Sequence, residues 1–152
     1  MPAFSAVTLT LLVSGALLLN EHYATIVRNG GGPAWTTAIY KLSDYLKTAA
    51  PRPIYCLDWG FIENLRLLNR GALDLRVGTD PGYGSRMIAD PGAIFLAHTP
   101  AFAFFRDSEK ILNMAEASGY RRIVDTAIQD DWGRPVYEVY RFVPASPTHA
   151  VR

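Results

Sequence analysis

Residues 54–68 constrain this chain more than any other stretch. Ile54-Tyr55-Cys56-Leu57 is a short apolar run that follows Pro53. Asp58-Trp59-Gly60 is turn chemistry, and Phe61 to Leu68 carries helical spacing. A buried strand that runs straight into a helix is half of a parallel α/β unit. Ligand sites in such sheets lie at the carboxyl ends of the strands, where Asp58 falls.

The remainder supplies enough elements for one such domain. Ala34 to Ala50 reads as an amphipathic helix, with Trp35, Ile39, Leu42 and Leu46 near the 3.6-residue period. Leu73, Leu75 and Val77 alternate with Asp74 and Arg76, the pattern of a half-buried strand. Thr79 to Gly92 has no periodicity and contains Asp80-Pro81 and Asp90-Pro91, which predicts a long polar surface loop. Ala93 to Ala97 is wholly apolar and reads as a central strand ended by His98-Thr99-Pro100. Phe102, Phe104 and Phe105 fall in a connecting loop or turn. A helix capped by Asp107 or Ser108 then runs to Ser118, and Gly119 ends it. Tyr120 to Ile128 and Val136 to Phe142 read as two strands joined by Asp130-Asp131-Trp132-Gly133-Arg134-Pro135, an antiparallel hairpin. The predicted class is α/β, a small Rossmann-like layered domain with a partly parallel sheet and a C-terminal hairpin.

A different element precedes it. Met1 to Asn20 holds no charged residue, and Phe4 to Leu19 is mostly apolar. About 20 such residues span a bilayer as a helix. Thr8, Thr10 and Ser14 are compatible, because a helical hydroxyl can bond its own backbone. A secretory signal would carry a cation before the run, and none is there; it would also place small residues before a cleavage point, and Leu17-Leu18-Leu19-Asn20 does not supply them. A buried soluble helix is the third reading, and the membrane span is preferred over both. Asn29-Gly30-Gly31-Gly32-Pro33 breaks any helix. The expected organisation is a membrane helix and its extension over 1–28, a linker over 29–33, the α/β domain over 34–143 and a tail over 144–152. Arg28 is the only nearby cation and follows the helix, which favours the domain inside.

Composition excludes several functions. A net charge of +1 with 19% charged residues is unlike a strongly basic nucleic-acid binder, so no nucleic acid is expected as a partner. The single cysteine, Cys56, cannot form an internal disulfide and sits in an apolar strand as a small hydrophobe. There is no dinucleotide fingerprint, no P-loop, no nucleophile elbow and no metal-ligand spacing of Cys or His, so no cofactor and no metal are predicted. His22 and His149 share no such spacing.

Four residues remain as candidates for ligand binding. Asp58 reads first as a cap of the following helix and second as a ligand or proton contact. Trp59 reads as a packing residue with a face able to stack on a sugar. Glu63, one turn into the helix, reads as solvated. His98 ends the central strand and would lie beside Asp58 if the two strands are parallel neighbours. An Asp–His pair can do acid–base work, but no nucleophile sits in a recognisable turn beside it, so no catalytic residue is assigned. Asp130 and Asp131 are adjacent in a turn and should point apart.

The apolar helix, the short linker, the helix beginning at Trp35, Ile54-Tyr55-Cys56-Leu57-Asp58-Trp59-Gly60 with Asn64-Leu65, Ala93-Ile94-Phe95-Leu96-Ala97-His98 and Gly133-Arg134-Pro135-Val136-Tyr137-Glu138-Val139-Tyr140 form a set. Together they resemble the C-terminal extracytoplasmic portion of polytopic bacterial glycosyltransferases. Those proteins are similar to protein mannosyltransferases and to the aminoarabinose transferases that modify lipid A. The resemblance covers nearly the whole chain through short strings. It implies membrane attachment and a parent protein that passes a sugar from a polyprenyl-phosphate carrier to a glycan acceptor at the outer membrane face. The family's catalytic acid lies in an early extracytoplasmic loop with no counterpart here, so no catalytic residue carries over. The resemblance places the domain outside, against the hint from Arg28. An independent membrane-tethered binding module and a small soluble enzyme using Asp58 and His98 are the alternatives.

Overall fold

The computed structural model describes residues 2–29, 36–49, 51–79 and 84–145. The glycine linker, Trp35 and most of the expected tail lie outside the described residues.

Helix α1 spans Pro2–Asn29, and its segment Phe4–Arg28 is long and apolar enough to cross a membrane. The Thr8 hydroxyl donates to the Phe4 carbonyl at 3.0 Å, and Thr10 donates to Ala6 at 2.9 Å. These bonds hide the hydroxyl polarity within the helix, as an apolar surrounding requires.

The α/β domain follows as α2 (Ala38–Ala49), β1 (Ile54–Cys56), α3 (Phe61–Leu68), β2 (Leu75–Val77), α4 (Gly84–Ala89), β3 (Ile94–His98), α5 (Asp107–Ala117), β4 (Tyr120–Gln129) and β5 (Pro135–Pro144). The five strands form one mixed sheet in the order β2-β1-β3-β5-β4. Strand β1 runs parallel to both β2 and β3. Strand β5 is antiparallel to β3 and to β4, which makes the predicted hairpin.

Alternation along the strands sorts the core into two faces. Ile54, Cys56, Ile94, Leu96, Tyr137 and Val139 join Ala38, Leu42 and Leu46 of α2 and Phe61 and Leu65 of α3. Tyr55, Leu57, Phe95, Ala97, Tyr140 and Phe142 join Met87 and Ile88 of α4 and Ile111 and Ala115 of α5. The sheet is therefore the middle of three layers. Leu42, Leu46, Leu57, Leu65 and Leu96 are wholly inaccessible, and each such side chain stabilises by about 1.5–3 kcal/mol of burial.

Several sequence expectations need correction. The stretch 79–92 is not all loop, because Gly84–Ala89 forms a helix that buries Met87 and Ile88. One turn and a half is too short to display a period, so only its core contacts reveal it. Gly84 lets α4 approach α5 closely, since a Cβ there would meet the Met114 thioether. The half-buried strand is only Leu75–Val77, at the sheet's edge. Helix α5 begins at Asp107 with Arg106 at its cap position and no side-chain cap bond. Asp107 instead holds Lys110 at 2.6 Å. Pro144 belongs to β5, and the Ala145 amide donates to the Gly119 carbonyl at 2.8 Å.

Candidate functional site

In a sheet ordered β2-β1-β3, the connection from β1 leads outward to β2 and the next returns past β1 to β3. The chain therefore leaves the ends of β1 and β3 in opposite directions and opens a crevice there. Asp58 stands just past β1 and His98 closes β3. The two are brought together, with Asp58 Oδ2 at 2.9 Å from His98 Nδ1 and both side chains almost wholly buried.

Asp58 does not cap α3. The cap position is Gly60, held at φ 87° in the left-handed region where glycine is favoured. That kink carries the chain from strand to helix and leaves the Asp58 carboxylate pointing into the crevice wall. Oδ1 accepts from the Trp59 amide at 2.8 Å, and Oδ2 accepts from the Phe104 amide at 3.0 Å as well as meeting His98. One buried carboxylate thus ties together β1, β3 and the loop after β3. Burial of a carboxylate is costly without such partners.

His98 is surrounded by rings. Phe61 stacks on it with centroids 4.6 Å apart, Tyr137 lies at 5.2 Å and Phe104 at 5.8 Å edge-on. The Asp58 contact at Nδ1 fixes the orientation of the imidazole, the arrangement an orienting carboxylate gives a base.

Trp59 is not a packing residue of the core. It is 59% exposed, touches Phe104 edge-on at 5.8 Å and forms a ridge between two hollows. One hollow, about 330 Å³, lies between α2 and α3 and is lined by Thr36, Tyr40, Trp59, Asn64, His98 and Tyr137 among others. The other, about 640 Å³, is bordered by Asp58, Trp59, Glu63, Val77, Thr79 and Phe105 among others. Both fall in the size range of small-ligand sites, about 300–1,000 Å³. Glu63 is solvated as its position predicts, and pairs with Arg66 at 2.9 Å.

Nucleophiles near the pair are engaged or silent. Burial pushes the Cys56 thiol up to about 12, so it holds its proton at neutral pH. Thr36 accepts from the Ala38 amide at 3.2 Å, and Thr37 donates to Asp131 at 2.7 Å. Burial pushes the Tyr137 phenol up to about 12 against the opposing hydrogen bond with Thr36. Among the described residues, no group of three or more His, Cys, Asp and Glu side chains is placed to hold a metal ion.

Asp130 and Asp131 point apart, as adjacent turn residues do. Asp130 is buried and accepts from the Trp132 and Arg134 amides and from Arg134 Nε, while Asp131 reaches outward to Lys41 at 2.7 Å. Reading the sequence missed Phe61, Tyr137 and the Phe104 amide as parts of the site. The one visible signal was the density of aromatics after His98.

Comparison with known proteins finds no matching family model, no similar curated protein and no similar solved structure.

Proposed function

We propose that this chain is a membrane-anchored α/β domain of a glycosyltransferase-like protein, standing on the extracytoplasmic side. Its crevice at the Asp58–His98 pair binds the sugar of a polyprenyl-phosphate donor or the glycan acceptor and does not perform the transfer. The observation that carries this reading is the exposed Trp59 ridge beside a rigid polar pair at the switch point of the sheet. An aromatic face with convergent polar groups suits a sugar ring, which presents C–H on one side and hydroxyls at its rim. Helix α1 supports the anchorage, and the string resemblance supplies the donor class.

The binding test uses the full chain in nanodiscs with Trp35→Phe and Trp132→Phe, so that Trp59 alone reports. Titration with a polyprenyl-phosphate sugar, and separately with a soluble glycan, should change Trp59 emission saturably with one of them, and His98→Ala should abolish the change. No saturable change with either ligand removes the binding reading. Sidedness is read by a cysteine placed at Thr79 and an impermeant maleimide on intact cells, because buried Cys56 stays silent. Labelling only after lysis would put the domain inside.

The Asp58–His98 geometry also favours a second reading, a small enzyme with His98 as base. A hydrolase or transferase activity of the chain alone, lost in His98→Ala with the fold intact, would establish it.

A further inference from the structure

Among the described residues after α1, eight large apolar side chains are exposed, and their distribution is uneven. Tyr40, Trp59, Val77, Phe104, Phe105 and Trp132 lie at the carboxyl end of the parallel strands, Leu67 borders the same hollow as Tyr40, and Val124 lies elsewhere. Trp59 and Val77 follow or close β1 and β2, and Phe104 and Phe105 follow β3. Trp132 sits in the β4–β5 turn, which the pairing of His98 with Tyr137 and of Gln129 with Pro135 brings to the same end. Tyr40 shares a hollow with Trp59 and Phe104. A cluster of exposed aromatics on one end of a small domain marks an interaction surface.

The chain itself indicates what meets that surface. Helix α2 starts at this end, since Thr37 and Lys41 bond Asp131 of the same turn. Asn29 closes α1, and Thr36 already lines the hollow. Seven peptide steps separate them and reach at most about 25 Å when fully extended. If α1 spans a bilayer, the covalent tether enters the domain at its aromatic end and so favours that end facing the lipid surface. Most charges here are paired within the domain, Lys41 with Asp131, Arg134 with Asp130, Arg66 with Glu63 and Lys110 with Asp107, while Arg106 beside Phe105 is exposed and belongs to none of these pairs. The surface thus has little net charge to seek anionic lipid, while Trp and Tyr partition to the interface of neutral bilayers as well.

We infer that the carboxyl end of the sheet docks on the bilayer surface, with Trp59, Phe104 and Phe105 seated among the lipid headgroups and both hollows opening onto the membrane interface. A sugar carried on a lipid would enter them without leaving that interface. The inference rests on the membrane-anchored reading of α1 and deepens it.

The test again uses the full chain carrying Trp35→Phe and Trp132→Phe, now in phosphatidylcholine vesicles with bromine on the upper acyl chain. Trp59 emission should fall roughly twofold relative to unbrominated vesicles, as expected for indole at the interface. Aqueous iodide should quench it weakly, and added salt should change neither result. A control with the added changes Trp59→Phe and Arg52→Trp, which places the only indole at the amino end of β1, should show the reverse. Trp59 quenched by iodide and untouched by bromolipid overturns the inference. Trp59 shielded from both quenchers also overturns it, and points to a second copy of the chain on that face. Release of the chain from vesicles by carbonate defeats the anchorage instead, so the two failures are distinct.

Discussion

Asp58 and His98, forty residues apart in the chain, meet at 2.9 Å where β1 and β3 end side by side. The contact is buried, and the same carboxylate holds the Trp59 and Phe104 amides. Removing His98 costs Asp58 one of its three bonds, whereas removing Asp58 takes the orienting carboxylate from the buried His98 ring.

Asp58→Ala should therefore destabilise by about 2–4 kcal/mol, well beyond the ~1 kcal/mol of a lost helix cap. His98→Ala should cost less on its own, since Asp58 retains two amide donors. A double-mutant cycle by urea denaturation should return a coupling of about 1–3 kcal/mol. Additive losses would mean that the contact contributes nothing net.

Asp130 governs the acid limit of the β4–β5 turn. Burial raises its pKa, but bonds from the Arg134 amide and side chain and from the Trp132 amide outweigh it, and the net shift is downward. A lowered folded-state pKa gives stability that is complete above the unfolded value, about 3.9, and is lost as pH falls through the folded value. Asp130→Asn should cost about 1–3 kcal/mol at pH 7 and flatten the loss of stability below pH about 4. Equal acid sensitivity in variant and wild type would assign that loss to other carboxylates.

Cys56 should resist thiol reagents in the folded chain. With its thiol pushed up to about 12, only about one molecule in 10⁴ is thiolate at pH 8. Burial adds a steric barrier. Ellman's reagent should react only after urea is added, and prompt reaction under native conditions would indicate that β1 opens readily.

A fragment covering 33–145 should unfold in one cooperative transition, because both faces of its sheet are covered without α1. Ending it at Phe142 should lower the midpoint by several degrees, as two β5 residues and the Ala145-to-Gly119 bond are lost. Identical melts would show that this corner is frayed in solution. A broad melt of the longer fragment would mean that α1 belongs to the core.

The sequence by itself determined the elements that have room to repeat a period. The uncharged run of α1, the amphipathic face of α2, the apolar runs before Asp58 and His98, and the alternation of β5 are all local patterns, and each formed the helix or strand expected of it. It also placed Asp58 and His98 at strand ends. The tertiary structure alone decided that those strands are neighbours, since hydrogen-bonded pairing between distant segments leaves no mark in either one. It decided that Gly60 and not Asp58 caps α3, because the left-handed turn at Gly60 swings the carboxylate away from the helix and toward Phe104 and His98. It formed α4 from six residues whose only support is the core they enter. And it left Trp59 outside, because once Leu57 and Phe61 fill the two faces of the sheet, the residue at the turn between them has nowhere inward to point.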